Sequence, residues 1–525
     1  MLHPAQPAPG AASVGAGGRA SFMALSPAPS PGLTAALSLA LALTLVVSGC
    51  ALTPPGPAQA PALPSQWQAP LPSVTVGLPH GGQPAELASW WSRFDDPLLP
   101  RLVDAAQQGN GDLAQAAARI AQARANVRVS GASDWPQLTG VGNASRTRAE
   151  VGQFPGTFTQ NSTSIGVDAL WEIDLFGVTR NNVRAARARS DSAQAQWHDL
   201  RVSLAAEVAA TYVSLRACQA LVDVYTQDAG SQRRTAELTQ IKAKAGLESS
   251  ANASLSSASA ADASNRLIGQ QADCDVLIKT LVALTTLPEA ELRPQLVARN
   301  AQLPQPAQFR VDAVPAQWLA QRPDVAALER EVLAAAGDVG AAQADRYPRI
   351  SLAGTLSVVS ASTGGSGSSV NGTNWSIGPA LSLPVFDAGR RAATVDAARA
   401  RYDEARARYE QRVRTAASEV EQALVRLDAA LRREADAQQA ALGFRQYFEA
   451  QQALVDVGAG SLLDLEQARR NALLAAAGLV NVQRERVASW ITLYKSLGGG
   501  WTPDAATTVQ LSDAASTDSS NRAAQ

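Results

Sequence analysis

The chain repeats itself, and that constrains its fold more than any single motif. Trp135-Pro136 in "DWPQLTG" returns as Tyr347-Pro348 in "RYPRISLAG", 348 − 136 = 212 residues later. Phe176 and Arg180 in "DLFGVTR" match Phe386 and Arg390 in "PVFDAGR" at 210, and Glu207-Val208 matches Glu419-Val420 at 212. Gly246 and Gly458 continue the register. An ordered series over more than a hundred residues means two copies of one unit, so the architecture is one supersecondary unit used twice. Length by itself would suggest about three domains for 525 residues.

Each unit reads as a short helix, two strands and two very long helices. In "PRISLAGTLSVVS", Ile350, Leu352, Gly354, Leu356 and Val358 alternate with Ser351, Ala353, Thr355 and Ser357. In "NWSIGPALSLPVF", Trp375, Ile377, Pro379, Leu381 and Leu383 alternate with Ser376, Gly378, Ala380 and Ser382. The stretch between, "SASTGGSGSSVNGT", reads as a flexible loop. The first copy is weaker, with strands from Pro136 to about Arg148 and from about Phe158 to Trp171. Strands of about 9–13 residues with one apolar and one small or polar face fit a transmembrane barrel. A half-buried hairpin of a soluble sheet has the same period.

After each second strand the period becomes helical. Tyr402, Tyr409, Val413, Val420, Leu424, Leu427 and Leu431 recur in steps of 7, 4, 7, 4, 3 and 4, and Trp197, Leu200, Leu204, Val208, Thr211 and Leu215 in threes and fours. These are stripes of the coiled-coil kind. From Thr179 to Ala243 only Gly230 interrupts, with no proline, so the helix reaches roughly 100 Å at 1.5 Å per residue. That is far longer than a globular domain and suits a structure crossing the periplasm. Gly246 and Gly458 mark the far tips, where partner helices turn back.

The N-terminus carries "LALALTLVVSGCALTPP". Its unbroken apolar run, from about Leu33 to Val47, is too short for a spanning helix of about 20 residues and suits a secretory core of about 7–15. It ends on Val47-Ser48-Gly49-Cys50, which resembles a bacterial lipobox, so Cys50 is expected to be lipidated and to become the first mature residue. Ala51 beside it is no inner-membrane retention signal. No second apolar stretch is long enough to span as a helix. The net charge of −1 offers no basic field for nucleic acid. Alanine dominates a 46% hydrophobic composition with only 5% aromatics, which favours closely approaching helices.

These residues carry a resemblance. "SWWSRFDDPLLPRLVDAAQQGNGDLAQAAARIAQARA", "LWEIDLFG", "QRPDVAALEREVLAAAGDVGAAQADRYPRISLAG", "SIGPALSLPVFDAGRR" and "SLGGGW" resemble the TolC-like outer-membrane efflux proteins, in particular the NodT or OprM type of lipoprotein. The similarity runs from about Trp90 to Trp501. It implies a homotrimer: a twelve-stranded β-barrel in the outer membrane, continuous with a twelve-helix periplasmic α-barrel, docking to a periplasmic adaptor and an inner-membrane transporter. The function implied is the exit duct of a tripartite efflux pump; the channel of a type I secretion system would share the fold, and the lipobox favours efflux. The expected layout is a signal peptide at 1–49, a Pro/Ala-rich linker at 50–89, repeat 1 at 90–312, repeat 2 at 313–501 and a flexible tail at 502–525. Independent of the resemblance, four strands cannot close, and an open edge in lipid leaves backbone groups without partners. Two chains would give eight strands, a filled barrel; three give twelve, the smallest multiple with a water path.

Catalysis finds no support. His3 lies in the signal, His80 in the linker and His198 alone on a helix stripe, and there is no phosphate loop, nucleophile elbow or Cys/His metal cluster. No cofactor is expected beyond the lipid on Cys50. Cys218 and Cys274 lie on consecutive long helices with midpoint (218 + 274)/2 = 246, the tip glycine, so they sit at one height, where a disulfide or two buried thiols both fit. The second copy has Ala430 and Arg486 there. Six residues past each tip glycine come Asn252 and Asp464. In the resembling family an acid at this turn lines the periplasmic constriction; Asp464 matches it, and Asn252 replaces the acid by an amide. Three Asp464 would form a cation-selective ring, held shut by other contacts such as Lys242 or Lys244. The plainer role for Asp464 is to stabilise a helix N-terminus.

Overall fold

The structure is a computed structural model, and it describes residues 55–56, 69, 90–150, 157–305, 322–364 and 369–501. The signal segment 1–49, Cys50, most of the 50–89 linker and the 502–525 tail lie outside the described residues. Those described fall in one compact unit, not the three domains that length suggests.

A 3-10 turn at Trp90–Arg93 leads into α1 (Leu98–Gly109) and α2 (Gly111–Ala132). Then come β1 (Gln137–Glu150), β2 (Thr157–Ile173), α3 (Val178–Lys244), α4 (Ser250–Thr285) and α5 (Glu289–Val297). The second half follows with α6 (Pro323–Ala344), β3 (Arg349–Gly364), β4 (Ser369–Ser382), α7 (Arg390–Asp456) and α8 (Leu462–Ser496). Helices α3 and α7 have 67 residues each and sit 390 − 178 = 212 apart, so the repeat is one of structure.

The second long helix of each unit is shorter than its sequence suggests. α4 has 36 residues and α8 has 35. The return path of the first unit is split: α4 packs along the tip-side part of α3, and α6 packs along its strand-side part, between α3 and α7. The break is chemical. Leu287-Pro288 follows α4, whose C-terminus closes on Thr286 in a left-handed conformation, and Pro294 lies inside the short α5. Where α6 meets α3 the backbones come close, because a Cβ on Gly337 would lie 3.0 Å from Ala185 Cβ and from the Asn181 carbonyl.

Both long helices start the same way, on a left-handed glycine read by an aspartate. Asp174 accepts from Gly177 N and Arg180 N, both at 2.9 Å. Asp387 accepts from Gly389 N at 3.0 Å and Arg391 N at 3.2 Å. The carboxylate satisfies amides that no preceding turn can reach. Gly177 and Gly389 differ by 212, so the 210 offset of Arg180 and Arg390 is corrected: Arg180 is the third residue after its glycine and Arg390 the first after its own.

The four strands form one antiparallel sheet in the order β1-β2-β3-β4. The presumed flexible loop is largely strand: β3 runs to Gly364 and β4 begins at Ser369, with Ala361 opposite Val370. Ser, Thr and Gly extend a ladder whose side chains need no packing. At mid-height of the long helices the core gathers the stripe residues Leu204, Val208, Val420, Leu424 and Leu427 with Trp90, Leu99, Tyr212, Leu281, Leu292 and Trp490, all buried. Asp96, Tyr212 and Arg216 are buried together: the Tyr212 hydroxyl donates to Asp96 at 2.6 Å, and Arg216 donates to the Leu296 carbonyl at 2.7 Å. Burial and the bond to Asp96 push the Tyr212 hydroxyl well above the usual tyrosine range.

Candidate functional site: the sheet and the hairpin tips

Register assigns every strand residue to a face. Ile165 pairs with Val358, Val167 with Leu356, Trp171 with Leu352, and Ile173 with Ile350. Leu356 pairs onward with Trp375, Gly354 with Ile377, and Ile350 with Leu381. Opposite residues share a face, so between the levels of Ile165 and Ile173 one side of the sheet is an apolar surface. Ile165, Leu356, Val358, Trp375, Ile377 and Leu381 are all exposed on it, Trp375 at 73%. The other side carries Thr139, Asn143, Ser164, Thr355, Ser357 and Ser376. An exposed apolar sheet face of this extent needs a cover that one chain does not supply. Both outer strands, β1 and β4, are 14 residues long and have one edge without a partner. Among the described residues, no helix is long and apolar enough to cross a membrane.

At the other end two helical hairpins turn on Gly246 (φ 73°) and Gly458 (φ 78°), conformations a side chain would strain. Gly246 N donates to Ala243 O at 3.0 Å and Leu247 N to Lys242 O at 2.9 Å; Gly458 N and Ala459 N make the equivalent bonds at 3.1 and 2.9 Å. Both tips are C-caps of the same kind. Asn252 and Asp464 each sit third in the returning helix, in α4 and α8. Asn252 donates through Nδ2 to Glu248 at 2.7 Å, and that bond lowers the Glu248 carboxyl below its ordinary value. Asp464 is exposed in the first turn of α8, and no ion pair joins it to Lys242, Lys244 or any other described residue. The tips meet across a cavity of about 300 Å³ lined by Lys242, Leu247, Glu248, Gly458 and Leu462. Lys242 therefore faces Glu248 within the chain.

Cys218 on α3 and Cys274 on α4 are joined by a disulfide, with Cα atoms 5.6 Å apart. Ala430 and Arg486 occupy the equivalent place in the second hairpin, where Arg486 pairs with Glu434 at 2.6 Å. Sequence reasoning missed one element, a buried polar node between the hairpins. Arg469 of α8 donates to Gln232 at 3.0 Å and Thr235 at 2.9 Å on α3, pairs with Glu466, and lies over Phe448 at 5.4 Å. Its signal was a charge in the apolar seam of "LEQARR". His198 lies beside Trp197 and Trp501, half-buried, and burial followed by Arg201 lowers its pKa to about 4. The imidazole is neutral at pH 7.

The family model described as outer membrane efflux protein matches residues 102–286 and 314–499, once per repeat. The chain belongs to that family. The toluene efflux pump outer membrane protein TtgI of Pseudomonas putida is 31% identical over 473 residues, 87% of this chain and 97% of the relative. Nodulation protein T of Rhizobium leguminosarum bv. trifolii is 29% identical over 88% of this chain and 96% of its own length. The solved outer-membrane channel OprN superposes with a TM-score of 0.74 at 28% identity, covering 85% of this chain and 100% of that one. This is an outer-membrane efflux channel protein, extending into the periplasm. Its relatives are channel and transport proteins, not enzymes.

Proposed function

We propose that three copies of the chain close into one duct, the outer-membrane stage of a tripartite efflux pump. The observation that carries this is the sheet with two open edges and one exposed apolar face. In lipid an open edge is prohibitively costly, so β4 of one copy must pair with β1 of the next. Three copies of four strands make twelve, the first closure wide enough for water. The apolar face then meets lipid and the polar face lines the lumen. The same closure brings α7 of one copy beside α2 of the next, continuing the order α2-α3-α6-α7 seen within the chain.

The helical hairpins reach across the periplasm toward an adaptor and an inner-membrane transporter. Asp464, exposed and unpaired, repeats around the axis as a cation-attracting ring at the constriction. Cys50 carries the acyl anchor; since the barrel itself spans, the lipid serves sorting and insertion more than retention. Substrates of the toluene pump's relative are its own; selection here lies with the inner-membrane partner. The test is light-scattering mass in detergent together with planar-bilayer conductance. A trimer that conducts ions is expected, and a monomer that forms no pores defeats the reading.

A further inference from the structure

The polar face of the sheet carries one uncompensated charge. Its other side chains are uncharged apart from Glu172 and Arg349, which stand 3.7 Å apart, Arg349 also pairing with Asp345 at the foot of the strand. Asp168 is different. It lies opposite Thr139 on β1 and Thr355 on β3, and no ion pair or side-chain hydrogen bond joins it to another described residue. The other strand cations for which the register gives a face, Arg146 and Arg148, are on the opposite side of the sheet and near its far end, where Arg148 donates to Thr157 at 3.1 Å. They neither face Asp168 nor reach it.

Its depth is fixed by the same register. On the apolar face the Ile173–Ile350 and Ile350–Leu381 pairs lie below its level, and the Ile165–Val358 pair lies above. From residue 173 to residue 165 the strand rises about 27 Å, or about 21 Å after a 40° tilt, close to the height of a barrel's lipid belt. Asp168 stands five residues up from Ile173, within that belt. An ionised side chain at membrane depth without a counter-charge persists only where it meets water, and such a residue marks a permeation path by default.

We infer that Asp168 is a charge-selecting residue of the barrel itself, contributed once per subunit to the lumen and separate from the hairpin tips. It favours cationic and zwitterionic permeants over anionic ones, and attracts multivalent cations entering from the barrel side. This rests on the closed barrel proposed above, and the experiment separates the two. The Glu172–Arg349 pair, four residues lower on β2, keeps its charges in every variant, so a change on substituting Asp168 belongs to Asp168.

Full-length protein in planar bilayers under a KCl gradient reads it directly. Asp168→Asn keeps shape and hydrogen bonding while removing charge, and is expected to lower the cation-to-anion permeability ratio at least about twofold. Asp168→Lys should carry the ratio further toward anions. Hexamminecobalt(III) added on the barrel side should block wild type and Asp464→Asn, and lose its block in Asp168→Asn. If every variant conducts with unchanged selectivity and unchanged barrel-side block, Asp168 only supports strand pairing and the inference is overturned alone. If wild type forms no pores, the barrel reading falls and this inference falls with it.

Discussion

Removing the Cys218–Cys274 bond should loosen one hairpin and leave the other as it is. The bond joins residues 56 apart and closes a loop containing the whole first tip. Constraining a loop of that length lowers the entropy of its opened states by about 14 cal/mol/K, or about 4 kcal/mol at 25 °C. Each 1.4 kcal/mol is a factor of ten, so opening between the bond and Gly246 should become up to about 10³-fold more frequent. The second hairpin has no covalent staple at this height. Its exposed Arg433–Glu485 pair, at 2.8 Å, contributes about 0–1 kcal/mol, and the more buried Arg486–Glu434 pair, at 2.6 Å, joins the helices without a covalent bond. The perturbation is Cys218→Ala with Cys274→Ala. Both side chains are buried, and Gln270, which donates to the Cys218 sulfur at 2.9 Å, can turn to solvent. Native-state hydrogen exchange resolved by peptide is the assay, because it reports sub-global opening. Amides of α3 and α4 on the tip side of the bond should exchange about 10- to 1,000-fold faster, while α7 and α8 keep wild-type rates. Rates within about twofold of wild type there, or equal acceleration in both hairpins, would refute the reasoning.

Four further outcomes are expected. Intact mass of purified protein should show a chain beginning at Cys50 and carrying acyl groups; an unmodified Cys50, or retention of Gly49, contradicts the lipobox. Asp464→Asn should lower cation selectivity and lose block by multivalent cations added from the periplasmic side, and unchanged recordings would leave Asp464 as a helix-end residue. Gly337→Val should destabilise the α3–α6 contact by about 1–3 kcal/mol, since its Cβ would press Ala185 and the Asn181 carbonyl at 3.0 Å; an unshifted thermal midpoint rules that crowding out. His198 has a folded pKa of about 4 against 6.5 unfolded, so the unfolded chain takes up the proton first. Its contribution is complete above pH 6.5 and declines as pH falls toward 4, so the stability gap between wild type and His198→Gln should shrink between pH 7 and 4. A pH-independent gap in thermal melts sinks this.

Much of the architecture was legible because it is periodic. The stripe from Tyr409 to Leu427 is buried along its length, since a helical repeat of apolar residues has one way to hide. The tip glycines were legible because Gly246 and Gly458 hold φ angles that other residues adopt only under strain. What escaped was aperiodic. Nothing local in "SASTGGSGSSVNGT" announces a strand, because pairing with β2 and β4 orders it, not its own side chains. The split return helix depends on a left-handed Thr286, and the Arg469 node on contacts between α3 and α8 residues about 235 positions apart. Such partners are set by packing, which a stripe of letters does not encode.

The equal length of α3 and α7 limits how this protein can change. Deleting one residue from either helix would turn everything beyond it by about 100° and draw it up by 1.5 Å. The Cys218 side of α3 would then miss α4, and Arg469 would lose its partners on α3. An insertion tolerated in one arm must be answered in its return helix and in both arms of the other repeat, close to whole turns. The strand register sets no such count on the residues that join β1 to β2 or β3 to β4. Divergence in length should therefore collect between β1 and β2 and between β3 and β4, while the helical arms vary in residues and keep their count.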